Sequence, residues 1–402
     1  ANRGEAENNL GAKNIIITKG GEVSAKSIHG DAENHLFAKE DIKLNRGTVK
    51  AESFSGKAEN TLFAGGDISL VFSKVLSKTI FGIAKVTLDA RDDISLFFSS
   101  LTAKVLSGKK GHAEVTLDAG SKHNHHGDIT LTGSSILAEV GSGLRSALVV
   151  LDATGMINLA FSTVEAVNNN FGRSSVYFNA GKDINLFASK VTARTGFGDA
   201  VVDLDARNDI NLTFSNILAK AIYGSAKVVL EAKDDISLFF SNLIAKVLGN
   251  RGYAEVTLNA GSKHNHNGDI TISNSKVIAK VKKVGHAEVN LKATDDIDIK
   301  HSSQILAKTG FGGSSTEVPS TALITLTAGD DINLSLSSII KAISHNFTPA
   351  AVLALAGDDI NAYGKISAIS DYGFAGVALL ALDNIYAGNV LARGNASPDA
   401  IG

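Results

Sequence analysis

The stretch from residue 92 to residue 119 decides the fold, because three short segments in it share a two-residue period. These segments are DDISLFF (92–98), SSLTAKV (99–105) and AEVTLDA (113–119). In the first segment Ile94 and Leu96 alternate with Ser95 and Phe97. Successive side chains leave opposite faces of an extended chain, so this alternation is typical of β-strands. The stretch therefore predicts one coil of three strands, with Leu96, Val115 and Leu117 buried and Lys104 and Thr116 exposed.

The rest of the chain repeats this coil. An acid or amide followed by Ile opens each copy, with Met156 as a departure, at Asn14, Asp41, Asp67, Asp93, Asp128, Met156, Asp183, Asp209, Asp235, Asp269, Asp296, Asp331, Asp359 and Asn384. Most openings are 25 to 28 residues apart, and three gaps are 34 or 35 residues long. Since such a period marks a solenoid, we predict one continuous all-β parallel solenoid over residues 1–402. It would have about 14 coils of roughly 26 residues, with three strands per coil.

Three regions divide the predicted solenoid. Residues 1–66 are variant coils, in which inward Asn8, Asn34 and Asn60 are expected to hydrogen-bond as a ladder. Residues 67–382 are the main coils, and 92–130 match 234–271 as an internal five-coil duplication. Residues 383–402 read as an incomplete terminal coil.

Composition excludes some classes of protein. The chain has 39 Gly for turns, only 3 Pro and no Cys, and its formal net charge is −2. This near-neutral charge does not indicate a particular class of partner. No apolar run approaches the roughly 20 residues of a membrane span. The chain begins at Ala1 without a leader, which is expected of a mature secreted protein. No pattern in the sequence calls for a cofactor.

The openings ARDDISL (90–96) and AGDDINL (328–334), which alternate with strands such as VTLDA (115–119), resemble the repeats of filamentous haemagglutinin-like exoproteins. These are large secreted bacterial adhesins of the two-partner secretion type. The resemblance covers nearly the whole chain. It implies a right-handed parallel β-helix, export, and residence at the cell surface or outside the cell.

Basic residues occupy one outward position of the second strand in consecutive coils. Arg194, Lys220, Lys246, Lys280 and Lys308 would form a basic stripe with one charge per roughly 4.8 Å. Such a stripe could hold an acidic polysaccharide or a nucleic acid. The alternative, which the sequence favours, is a solvated face balanced by acids at Asp89, Asp118, Asp152, Asp205 and Glu231. Because aromatic residues for base stacking are absent, we expect no nucleic-acid binding.

Metal sites have only weak support in the sequence. His123 and His125, and likewise His264 and His266, form H-x-H loops that could hold a transition metal. Each pair lacks a further carboxylate or Cys ligand, so solvated loops are favoured. The stacked Asp residues of the openings could bind calcium, but capping by turn amides is the better interpretation.

Outward apolar residues predict a contact surface. Val71, Phe97, Phe187 and Phe239 share one position on the first strand. Exposed phenylalanines on a soluble protein can mark a lateral contact with another copy or with carbohydrate.

These patterns favour a secreted structural protein, the subunit of an extracellular filament or matrix. The two ends read as complementary pieces of one coil, so we expect head-to-tail assembly through Gly4, Glu5, Asn8, Leu10, Ile385, Val390, Leu391 and Arg393. The alternative is an adhesin stalk that binds surface glycans. A polysaccharide lyase or hydrolase comes third, because no coil has the unrepeated carboxylate cluster such enzymes need, and we expect no enzymatic activity.

Overall fold

The computed structural model describes residues 4–108, 111–120, 126–142, 145–261, 267–311, 320–345 and 348–395. The chain is all-β, a parallel β-solenoid of about 14 turns with about 27 residues per turn. The described residues form 39 strands and no helix, so no segment among them is a helix with the length and apolarity to cross a membrane. Two compact units divide the chain, Ala1–Ala206 (unit 1) and Arg207–Gly402 (unit 2). The predicted fold class is confirmed, and continuity between the units stays a prediction.

Unit 1 contains three strand types, which repeat in order around each coil. Its first strands are β2 (Ile15–Thr18), β5 (Ile42–Asn45), β8 (Ile68–Val71), β11 (Ile94–Phe97), β14 (Ile129–Thr132), β17 (Ile157–Ala160) and β20 (Ile184–Phe187). Its second strands are β3 (Glu22–Ser27), β6 (Thr48–Ser53), β9 (Lys74–Thr79), β12 (Ser100–Val105), β15 (Ser135–Val140), β18 (Thr163–Phe171) and β21 (Lys190–Phe197). Its third strands are β1 (Ala6–Ala12), β4 (Ala32–Ala38), β7 (Ala58–Ala64), β10 (Ile83–Ala90), β13 (His112–Ala119), β16 (Ala147–Ala153), β19 (Ser174–Ala180) and β22 (Ala200–Ala206).

Unit 2 repeats these types, but some of its strands continue through a corner. Its first strands are β23 (Ile210–Thr213), β25 (Ile236–Phe239), β28 (Ile270–Ser273), β31 (Ile297–Lys300) and β34 (Ile332–Leu334), and its second strands are β26 (Asn242–Val247), β29 (Lys276–Val281), β32 (Gln304–Thr309) and β35 (Ile339–Ser344). Its third strands are β27 (Arg251–Ala260), β30 (Val284–Ala293), β33 (Thr321–Thr327), β36 (Ala350–Ala356) and β38 (Ala375–Ala381). β24 (Asn216–Ala232) joins a second and a third strand, whereas β37 (Ile360–Ser370) and β39 (Ile385–Gly394) each join a first and a second.

Each strand pairs in parallel with the equivalent strand of the neighbouring coil, so equivalent residues stack in columns. β13 pairs with β10 and β16 in one register, which places Leu117 between Leu88 and Leu151. Leu96, Val115 and Leu117 are buried, as predicted. Lys104 and Thr116 are half-buried instead of exposed. Outward side chains of adjacent coils lie only about 4.8 Å apart and cover one another.

The predicted amide ladder is present inside the first coils. Asn8 Nδ2 donates to Asn34 Oδ1 at 2.7 Å, and Asn34 Nδ2 donates to Asn60 Oδ1 at 2.7 Å. Each Nδ2 also donates to a carbonyl of the second strand, for example from Asn34 to Lys50 O at 2.8 Å. Asn34 and Asn60 are fully buried, so these bonds satisfy amides that would otherwise destabilise the core.

Serine forms a second ladder, at the corner between the first and second strands. Ser99 Oγ accepts the backbone N–H of Ser73 at 3.0 Å and donates to Phe97 O at 3.0 Å. Unit 2 repeats this arrangement, where Ser241 Oγ accepts the backbone N–H of Ser215. The serine hydroxyl of one coil therefore accepts the buried backbone N–H of the corner in the neighbouring coil. The alternation pattern did not predict this role of serine.

Aspartate forms a third ladder, at the openings of the coils. Asp67 Oδ1 accepts the backbone N–H of Asp93 at 3.0 Å, and Asp235 Oδ1 accepts that of Asp269 at 2.9 Å. Backbone amides therefore compensate the stacked acids, as predicted, although the amide belongs to the next coil. The acids still affect one another: burial, a hydrogen bond with Asp330 and nearby carboxylates raise the pKa of Asp295 to about 6.

Candidate functional site

Phenylalanine occupies the corner after the first strand in an unusual backbone conformation. In unit 1 the φ angles of Phe72, Phe98 and Phe161 are 49°, 45° and 53°. In unit 2 those of Phe214 and Phe240 are 51° and 47°. Bulky side chains rarely adopt positive φ, and such conformations concentrate at functional sites. All five rings are exposed, with Phe161 the most exposed at 65%.

These corner rings lie beside the residues that the sequence predicted as lateral contacts. Phe97, Phe187 and Phe239 are exposed, whereas Val71 is half-buried. We call the joint surface the phenylalanine ridge, and its members are Phe72, Phe97, Phe98, Phe161 and Phe187 in unit 1 and Phe214, Phe239 and Phe240 in unit 2. The sequence analysis did not identify the corner members, because the two-residue alternation applies only within strands and gives no information about a residue with positive φ at a corner. The recurring Phe-Ser pair that follows the first strand was the available signal.

Ring contacts join the ridge members. Phe72 and Phe98 stack with centroids 5.5 Å apart, and Phe97 meets Phe98 edge to face at 4.6 Å. Phe161 meets Phe187 edge to face at 5.3 Å. In unit 2, Phe214 stacks on Phe240 at 5.2 Å. The ridge is therefore a set of ordered aromatic clusters.

The surroundings of the ridge resemble the edge of a protein interface. The outward first-strand residues beside it carry no charge: Ser69, Ser95, Thr130, Asn158 and Asn185 in unit 1, and Asn211 and Ser237 in unit 2. Asn185 Nδ2 donates to Asn158 Oδ1 at 3.0 Å within this rank. In other coils Lys19, Arg46, Asn274 and His301 occupy the ridge corner. Interfaces combine an aromatic, uncharged centre with a polar rim.

The predicted head-to-tail residues belong to β1 and β39, apart from Gly4 and Glu5, which precede β1. At β1, Gly4 and Glu5 are exposed, and Asn8 and Leu10 are half-buried. At β39 every residue is exposed, Leu391 and Arg393 included. Ile385 and Val390 are 46% and 44% exposed, whereas Ile360 and Ile366, which stack on them in β37, are 0% and 2% exposed. Ile385 and Val390 therefore continue the columns of Ile360 and Ile366, but with exposed side chains.

Four members of the basic stripe form one column in unit 2. Lys220, Lys246, Lys280 and Lys308 are partners in register from coil to coil, and we call them the lysine column. Arg194 has the equivalent position in unit 1, beside Val167. The acids that were expected to balance the stripe, on the strand after the lysines, lie near the ends of third strands. Among the described residues no salt bridge joins an acid to the lysine column, and balance of the stripe by these acids stays a prediction.

The candidate metal ligands divide into two groups. His123, His125, His264 and His266 lie outside the described residues. Carboxylate oxygens of Asp358, Asp359 and Asp383 lie within 4.8 Å of one another. Asp359 Oδ1 accepts the backbone N–H of Asn384 at 2.8 Å, so this group belongs to the aspartate ladder.

A groove of about 1080 Å³ lies in unit 1, at the corner between the third strand and the next first strand. Phe37 and Phe63 line it with ring centroids 6.3 Å apart, together with Lys39, Arg91 and Asp89. Burial raises the pKa of Asp89. Sequence reasoning missed the groove, because it depends on the absence of side chains at Gly11 and Gly65.

Comparison with known proteins adds no family name to this geometry. The fold is compatible with a β-helix repeat protein. No family model, no curated protein and no solved structure matches the chain.

Proposed function

We propose that this chain is a secreted structural protein, the subunit of an extracellular filament or matrix whose copies associate through the phenylalanine ridge. The observation that carries the proposal is the exposed phenylalanine at a positive φ angle in five coils. The resemblance to filamentous haemagglutinin-like exoproteins supports the extracellular location in this proposal.

The corner itself does not require phenylalanine. Asn274 occupies it with a φ angle of 49°, and Gly133 occupies it with 57°. Asn and Gly adopt this conformation at lower cost than bulky residues do. Phenylalanine at this corner costs conformational energy and exposes an apolar ring to water. A contact with another molecule, which would bury the ring, explains its presence best.

The shape and size of the ridge favour a protein partner. A phenylalanine side chain offers roughly 150–250 Å² of surface, so the five half-exposed rings of unit 1 present about 500 Å². The rings form two clusters, one of Phe72, Phe97 and Phe98 and one of Phe161 and Phe187, separated by the coil of Gly133. Their summed area is in the range of the largest apolar patches of monomers, about 300–600 Å². Together with the uncharged rank it approaches the roughly 800 Å² per partner of a stable interface. Small ligands prefer concave sites, and a ridge repeated in both units suits a second copy of the same chain.

Replacing Phe72, Phe98, Phe161, Phe214 and Phe240 together with Asn is expected to abolish lateral association without loss of folding. Each ring buried at an interface contributes about 1.5–3 kcal/mol, which is roughly a tenfold or larger effect on the dissociation constant. Asn suits the corner, so the thermal unfolding midpoint should hold or rise. Sedimentation velocity over a concentration series measures the association.

A matched control replaces the exposed pair Phe54 and Phe81, whose rings are 5.6 Å apart at another corner, with Ser. This variant should associate like the parent protein. Unchanged association of the Asn variant, or a parent protein that stays monomeric at high concentration, would contradict the proposal.

A second contact, along the stack of coils, is supported by the exposure of Ile385 and Val390 in β39. We propose that Asn384 to Asn395 of one copy and Gly4 to Ala12 of another complete a shared coil. Ile385 and Val390 would then enter a continuous core, as Ile360 and Ile366 do. The contact is heterologous and would extend into an open filament.

Replacing Val390 with Glu is expected to stop filament growth, because a carboxylate would have to enter the shared core without a partner. Val390 is already exposed in the single chain, so folding should be preserved. Arg393→Glu changes an outward residue of the same strand and is the control. Negative-stain electron microscopy distinguishes the variants, and filaments of normal length from Val390→Glu would rule the contact out.

A further inference from the structure

The lysine column of unit 2 is set apart because none of its four stacked positions carries an acid. Its four members are half-buried and stack in register, at one ammonium group per coil, about 4.8 Å apart. Like charges at this distance repel one another. No salt bridge among the described residues compensates them.

Unit 1 offers an internal comparison, because the same position there carries both signs of charge. Lys26 pairs in register with Glu52, and Lys104 with Glu139. Lys104 Nζ lies 2.6 Å from Glu139 Oε2, and Lys50 Nζ lies 3.0 Å from Glu52 Oε2. The column of unit 1 therefore contains two acids among its basic residues, which include Lys78 between Glu52 and Lys104, whereas the lysine column of unit 2 contains none.

The surroundings of the column keep its charge concentrated. Leu218, Ile244, Ile278 and Leu306 form the neighbouring outward column on the same strands. Burial, together with the positive charges of Lys280 and Lys341, lowers the pKa of Lys308, and the carboxylate of Asp371 offsets this shift only in part. An anion that lies along the column would relieve this repulsion.

We propose that the lysine column binds a linear acidic polysaccharide with one carboxylate per sugar residue, laid parallel to the stack of coils. In an extended polyuronate successive sugars are rotated about the chain axis, so the carboxylates on one side of the chain meet every second or third lysine of the column. The aliphatic column beside it offers a surface for the C–H faces of the sugar rings. Nucleic acid fits less well, because its bases require aromatic stacking and the adjacent column is aliphatic.

Binding of hexagalacturonic acid by the full chain tests this inference, with maltohexaose as the neutral probe and a dT oligonucleotide as the competing polyanion. Isothermal titration calorimetry at two salt concentrations should show salt-sensitive binding of hexagalacturonic acid and none of maltohexaose. Lys246→Glu/Lys280→Glu should weaken binding at least tenfold and flatten its salt dependence. Lys246→Gln/Lys280→Gln, which adds no negative charge, should show a smaller loss in the same direction.

The control Lys292→Glu/Lys365→Glu makes the same change in net charge elsewhere in unit 2 and should leave the affinity unchanged. An equal loss of affinity in this control would show that binding depends only on the overall charge of the protein, and it would overturn the proposal. Tighter binding of the dT oligonucleotide than of hexagalacturonic acid would overturn it as well. So would a parent protein that binds neither probe.

Discussion

Asn34→Val is expected to lower the free energy of unfolding by about 2–5 kcal/mol, because it breaks the amide ladder at its centre. The change removes the hydrogen bonds of Asn34 with Asn8, Asn60 and the Lys50 carbonyl. It leaves the Asn60 Oδ1 atom buried without its donor, and one unsatisfied buried group costs about 1–3 kcal/mol. Urea unfolding followed by circular dichroism measures the loss.

The triple variant Asn8→Val/Asn34→Val/Asn60→Val separates the ladder from simple packing. Val86 stacks on Asn60 in the next coil, so valine already fits this column. Replacing both partners of a buried hydrogen bond with apolar groups can be nearly neutral. The triple variant removes the amide–amide pairs together but leaves the carbonyls of Ser24, Lys50 and Leu76 without these donors, so it should recover part of the lost stability. A triple variant that is less stable than Asn34→Val would show that the ladder is not the unit of stabilisation.

Leu117→Ala is expected to destabilise the solenoid by about 2–5 kcal/mol, because it leaves a cavity in a column of fully buried side chains. Leu88 and Leu151 stack on Leu117 from the coils on either side and are buried as well. A stacked parallel column has little freedom to collapse into the cavity. Thermal and urea unfolding both measure this loss.

Two outward residues serve as controls for Leu117→Ala. Thr116→Ala removes a hydroxyl that donates to Glu114 Oε1 at 3.0 Å, and Lys104→Ala removes a partly exposed ion pair with Glu139. Such contributions are about 0–1 kcal/mol each. Equal losses for Leu117→Ala and Thr116→Ala would contradict the inward and outward assignment of β13.

Features that repeat along the sequence were predictable, because each coil presents the same alternation. The positions of Ile94, Leu96 and Leu117 in the repeat predict that they are buried, and three Asn residues spaced 26 residues apart predict a ladder. Features that depend on the contact between coils were not. The acceptor role of Ser99 and the positive φ of Phe98 arise at a corner, where side-chain period carries no information.

Charge compensation was also beyond the sequence pattern. The acids Asp118 and Glu231 are close to the lysines in sequence, but they stand in a column on a different strand type. The sequence predicted that Lys246 lies between two further lysines, but it did not reveal that Lys104 meets Glu139 on one side and Lys78 on the other. The fold, the lysine column and the first-strand members of the phenylalanine ridge were therefore predictable, whereas the corner members of the ridge and the pairing of Lys104 with Glu139 required the structure.

The serine and aspartate ladders have a consequence for how such a chain changes in evolution. Both fasten one coil to its neighbour, and neither closes a coil upon itself. Excision or insertion of a whole coil therefore rejoins identical donors and acceptors, and the molecule can lengthen or shorten in steps of one repeat. Gain or loss of a single residue inside a strand would instead turn every following side chain of that strand to the wrong face. We therefore expect the chain to tolerate changes in the number of coils, but not the insertion or deletion of one residue within a strand.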